Sequence, residues 1–113
     1  MTNKEWLNRG WMLLGEIESL EMAREKAVAV RGKEKAAEYT KKTDRLEREL
    51  VKVYLQILKA IMQLPDRKDR RILQLRYLAY CSHEEIAWIM GYEETRSVSR
   101  RIDAAAERIK QCR

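Results

Sequence analysis

The sequence predicts an all-α protein, and three observations carry that prediction. One Pro and four Gly in 113 residues leave few points at which a helix must stop. Apolar residues recur every three or four positions along most of the chain, the period of a helix with one buried face. A composition 45% hydrophobic and 37% charged suits long helices with a narrow apolar stripe and broad solvated faces.

The first helix is expected from about Asn3 to Val30, with Leu13, Ile17, Leu20 and Ala27 at helical spacing and Trp6 and Trp11 filling a hairpin or dimer seam. Gly32 is the natural break. A second helix, from about Glu34 to Gln63, places Tyr39, Leu46, Leu50, Val53, Ile57, Ala60 and Leu64 on one seam. So short a connection folds the two helices back antiparallel, giving a helical hairpin arm over residues 1–64. Leu64-Pro65-Asp66 ends the arm, since Pro disfavours helical geometry in the preceding residue and Asp66 can cap the next helix.

Residues 65–113 read as a three-helix unit. The third helix, about Arg67 to Tyr80, offers Ile72, Leu73, Tyr77 and Leu78 to a core. Ser82-His83-Glu84-Glu85 is a capping box, in which hydroxyl and carboxylate satisfy each other's backbone amides. A short helix then turns Ile86, Ala87, Ile89 and Met90 inward and stops at Gly91, a residue suited to left-handed geometry. Thr95 is the expected cap of the last helix, whose Val98, Ile102, Ala105 and Ile109 share one stripe. Two turns of helix, a Gly turn and a longer helix form the helix-turn-helix pattern.

Burying Val98 and Ile102 turns Arg96 and Arg100 to the opposite side, with Ser97, Ser99 and Arg101 on the flanks. Guanidinium groups can bond bidentately to guanine, and hydroxyls can reach phosphates or bases, when the first turns of a helix enter the major groove. Glu93 and Glu94 would repel phosphates, although acids also suit the positive end of a helix. Overall charge adds little. Lys and Arg number 24 against 18 Asp and Glu, a net charge of +6. Residues 65–113 hold 11 basic and 8 acidic side chains and residues 1–64 hold 13 and 10, so the excess is spread evenly.

Other features read more plainly. Cys81 and Cys112 are expected as free thiols, and Cys81 with His83 lacks a second ligand pair for a metal. His83 has no nucleophile or carboxylate arranged around it, so no catalytic role, cofactor or enzymatic activity is expected. Trp88 is expected at the edge of the core. Arg67, Lys68, Arg70 and Arg71, interleaved with Asp66 and Asp69, read as a solvated face. No run approaches the roughly 18 apolar residues of a membrane span, and the start lacks a signal-peptide pattern, so a cytoplasmic location is expected.

The stretch from Pro65 to Ile109 resembles region 4 of sigma-70-type factors, through Ile72-Leu73-Gln74-Leu75-Arg76-Tyr77-Leu78, Ser82-His83-Glu84-Glu85-Ile86-Ala87, Met90-Gly91-Tyr92 and Val98-Ser99-Arg100-Arg101-Ile102. It is most similar to the sigma-region-4-like domains of small phage proteins, including ArpU-type phage transcriptional regulators, which also carry a helical arm. The resemblance implies a transcription regulator that binds double-stranded DNA through Arg96, Ser97, Ser99, Arg100 and Arg101, with Arg76 a backbone contact. This chain departs from the family in having Glu94 where a Ser or Thr is usual. Two other readings compete: a module docking on RNA polymerase or another regulator, and a small terminase subunit. The N-terminal helices could also support a homodimer.

Overall fold

The computed structural model describes residues 1–111, apart from the Arg31 side chain. Every regular element in it is a helix: α1 (Asn3–Leu7), α2 (Arg9–Arg31), α3 (Lys33–Met62), α4 (Arg67–Tyr77), α5 (His83–Met90) and α6 (Thr95–Glu107). None is long and apolar enough to cross a membrane among the described residues. Cys81 is a free, half-buried thiol, and Cys112 lies outside the described residues.

The expected first helix is two helices. Thr2 and Glu5 form a capping box that starts a one-turn α1, and the chain is reset at Asn8 before α2 begins. The reset lets α1 lie against α6 while α2 runs along α3. Gly32, at φ 85°, makes the reversal between α2 and α3, a backbone setting that costs glycine least. Along their contact Ile17 and Val53 are buried, while Leu13, Leu20, Leu46 and Leu50 are half-buried.

Burial crosses the expected boundary at residue 64. Trp6 and Leu7 from the start of the chain, and Val53, Ile57, Ala60, Ile61 and Leu64 from the end of α3, share one core with Ile72, Leu73, Tyr77, Ile86, Val98 and Ile102. The physical reason is size. A stretch of under fifty residues buries too little apolar surface to stand easily alone, so α1 and the end of α3 complete it. Polar contacts hold the added piece. Asn3 Nδ2 donates to the carbonyls of Ala106 (2.8 Å) and Ile109 (2.9 Å), satisfying acceptors at the C-terminal end of α6.

Asp66 caps α4 as expected, accepting from the amides of Lys68 and Asp69. Asp69 departs from expectation. It is not part of a solvated face but 1% exposed, with Oδ1 accepting from Arg101 Nε (2.8 Å) and Oδ2 from Arg108 Nη1 (2.7 Å). Arg70 is also committed inward, donating to the carbonyls of Leu64 (2.7 Å) and Pro65 (3.0 Å). Arg67, Lys68 and Arg71 stay exposed.

α4 ends at Tyr77, earlier than expected, because Tyr80 takes left-handed geometry at φ 57°. Its ring meets Trp11 at 5.2 Å between centroids, and its hydroxyl lies so close to Gly10 that a β-carbon there would sit 2.9 Å away. α5 is as expected at both ends, with the Ser82–Glu85 capping box and Gly91 in αL geometry at φ 77°. Two of its side chains are not where the pattern put them. Trp88 is 87% exposed, not at the core edge, and Ile89 is 37% exposed, because Ile86, Ala87 and Met90 already fill the inward side of so short a helix.

Candidate nucleic-acid interface

α6 is built by its burial stripe. Val98, Ile102, Ala105, Ala106 and Ile109 are all buried against the shared core, through contacts with α4, α5 and α1. At 100° per residue, that stripe fixes the opposite side of the helix. Arg96, Ser97, Arg100, Ala104 and Glu107 occupy it and are exposed. No hydrogen bond or ion pair within the described residues engages the guanidinium of Arg96 or of Arg100. Their charges therefore face solvent, about one turn apart on the helix.

The start of α6 differs from the expected cap. Glu94 is the N-cap, in extended geometry, and Thr95 is the first helical residue; no side chain caps the turn. Ser97 N–H bonds only the Glu94 carbonyl, at 3.2 Å. Amide donors and the positive end of the helix dipole therefore sit beside Arg96 and Ser97, an arrangement that attracts anions. Glu93 and Glu94 are exposed at the same end and offset part of that attraction.

The six residues expected at a DNA surface divide into three groups. Arg96, Ser97 and Arg100 are outward and unencumbered, and Ser99 is half-buried on the flank. Arg101 is a correction. It lies 100° from Arg100 on the wheel, toward α4, where it donates to Asp69 (2.8 Å) and to Asp66 Oδ2 (3.1 Å). A guanidinium clamped by two carboxylates braces α6 on α4 and is not available to a groove. Arg76 is half-buried and donates to the Cys81 carbonyl (3.0 Å), tying the end of α4 to the turn before α5.

On one flank of α6 a side chain of α1 meets an acid of the helix. Lys4 Nζ stands 2.7 Å from Asp103 Oδ1. That hydrogen bond holds the Lys4 ammonium charged, with its pKa raised. The pairing matters to the exposed side of α6, because it neutralises the carboxylate that lies one turn beyond Arg100. His83 is pushed below its ordinary value of 6.5, first by burial and then by the positive charge of Arg76, so its imidazole is neutral at pH 7.

Lys4 carries no signal in the sequence, since its partner lies 99 positions away. Asp69 is equally hidden, because an acid among four cations in the first turns of a helix has every local mark of a surface residue. Among the described residues no group of His, Cys, Asp and Glu is placed to hold a metal ion. An open cleft beside α6 is lined by Thr2, Asn3, Lys4, Asp103, Ala106 and Glu107. Comparison of the chain with family models, with curated proteins and with solved structures finds no match.

Proposed function

We propose that this chain is a sequence-specific double-stranded DNA-binding transcription regulator of the phage or prophage type, in which α2 and α3 form a hairpin arm and α5 and α6 a sigma-region-4-like helix-turn-helix. The observation that supports this best is the pairing pattern of the arginines. Arg101 and Arg108 are spent on Asp69, whereas Arg96 and Arg100 project together from the first two turns of α6 with no partner among the described residues. In a helix-turn-helix, those turns are the ones that meet base edges. The uncapped start of α6 would approach a phosphate, and Lys4, by pairing with Asp103, would lower the repulsion along the groove wall.

The test compares two arginines one position apart. Arg100→Ala is expected to weaken binding to a selected site by about 1–3 kcal/mol and to relax base preference there. Arg101→Ala is expected to lower stability while the folded protein keeps its preference, because its guanidinium serves α4. Unchanged affinity and preference in Arg100→Ala would defeat the docking.

A second reading has its own observation. Trp88, 87% exposed beside Ile89 on the outer side of α5, suits contact with another protein, such as RNA polymerase or another regulator. Capture of the polymerase that survives loss of both Arg96 and Arg100 but not of Trp88 would favour it.

A further inference from the structure

α3 carries two apolar stripes, and the fold uses only one. The stripe containing Val53, Ile57, Ala60 and Ile61 is buried. The other is Val51, Tyr54, Leu55, Leu58 and Met62, spaced i, i+3, i+4, i+7 and i+11, and so aligned on one face. It looks outward: Val51 and Leu55 are 58% exposed, Met62 55% and Tyr54 38%, with Leu58 half-buried between them. Trp11 of α2, 51% exposed, extends the patch across the pair of helices through Tyr80, which touches Trp11 and sits with Leu50, one turn before Tyr54, beside Gly10. A patch of this size is more than scattered surface residues explain.

We propose that a second copy of this chain covers this face, α3 lying antiparallel on its counterpart about a two-fold axis near Leu55 and Leu58. Area supports a self-pairing. Val51, Tyr54, Leu55 and Met62, with a smaller share from Leu58, present roughly 400 Å² on each copy, and half-exposed Trp11 adds roughly 100 Å². Two such patches bury roughly 1,000 Å², the size at which a specific interface becomes credible.

Charge narrows the occupant further. Asp44 and Glu47, seven and four residues before Val51, continue the α3 stripe toward Gly32, while Glu18 and Glu25 continue the line of Trp11 on α2. All four are exposed acids, and exposed Arg48, three residues before Val51, lies among them. The border is therefore mixed in sign with acids in excess, and suits a partner of mixed charge, such as a second copy, better than a uniformly anionic lipid surface or nucleic acid. The antiparallel pairing places Asp44 and Glu47 beyond the far end of the partner's α3. There α4 begins, with exposed Arg67 and Lys68 that have no ion-pair partner among the described residues. An isologous contact of this kind closes at two copies.

The inference does not rest on DNA binding, and its test uses the full chain alone. Sedimentation velocity at about 50 µM should give a mass twice the 13.5 kDa of the chain. Leu55→Glu should return it to one copy with helicity by circular dichroism unchanged. Val30→Glu, at an exposed apolar position near Gly32, should leave it paired. A cysteine at the centre of the contact (Leu55→Cys, with Cys81 and Cys112 replaced by Ser) should cross-link two copies under mild oxidation. A monomeric wild-type chain, a Leu55→Glu protein that stays paired, a ring-sized assembly, or no cross-link would each overturn the proposal.

Discussion

Asp69→Ala is the perturbation whose cost the structure sets most clearly. The Asp69 side chain is 2% exposed, and each carboxylate oxygen accepts from a different guanidinium, at 2.8 Å from Arg101 and 2.7 Å from Arg108. Hydrogen bonds to charged groups contribute about 1.5–3 kcal/mol each. Because the Arg101 and Arg108 side chains are 32% and 60% exposed, water screens both and can re-solvate them, which argues for the lower figure. Two bonds at that level put the loss at about 3 kcal/mol, at the lower edge of what breaking a buried pair costs. For a chain of this length, that lowers the midpoint of thermal unfolding by roughly 12 °C. Asp69→Asn keeps the shape and one acceptor, so about half the loss is expected. Urea unfolding followed by circular dichroism reads both variants. A double-mutant cycle should find stronger coupling of Asp69 to Arg101 than to the more exposed Arg108. If Asp69→Ala lies within about 0.5 kcal/mol of the wild type, water serves the arginines as well as the carboxylate does, and the bracing of α6 on α4 is misassigned.

Acid should unfold the protein from a defined direction. The carboxylate of Asp66 is held below its ordinary value of 3.8, first by the Lys68 amide, and those of Glu5 and Glu85 are held below 4.5 by the backbone amides of Thr2 and Ser82. Groups depressed in the folded state contribute stability that is present above those ordinary values and lost as pH falls through the lower, folded ones. Unfolding midpoints should therefore fall below about pH 4. The depressed His83 adds a separate loss that begins as pH drops below its ordinary value of 6.5, because there the unfolded chain takes up a proton before the folded one does. A profile flat from pH 7 to about pH 5 would mean that His83 is not depressed. Trp88→Ala should change stability by less than about 0.5 kcal/mol, since the side chain is 87% exposed and packs on nothing in the core. A loss of about 2 kcal/mol or more in equilibrium unfolding would mean that the indole is covered in solution.

The helices were legible in the sequence wherever local chemistry decides them. The Ser82–Glu85 capping box, the Asp66 cap, the turn at Gly91 and the buried line of Val98, Ile102, Ala105 and Ile109 all depend on residues within a turn or two of one another, and pattern reading captures such terms. The same spacing argument supplied the outward pair Arg96 and Arg100. Contacts across the chain set the features that could not be read. The break at Asn8 exists because α1 is needed over α6. Asp69 is buried because Arg101 and Arg108 come to it from residues more than thirty positions away. Arg101 and Arg100 are neighbours of the same type, and only the position of α4 separates brace from surface. Trp88 misled in the other direction: an apolar residue among apolar neighbours reads as core, but an eight-residue helix has room for few inward positions.

If the outward face of α6 reads DNA sequence, selection of bound duplexes from a random pool, run with the full chain at two salt concentrations, will show it most directly. Enrichment of one motif is expected at both concentrations, with affinity falling as salt rises because cations contact phosphates. Salt-sensitive binding that enriches no motif, or no binding at the lower salt, would contradict that role for Arg96 and Arg100.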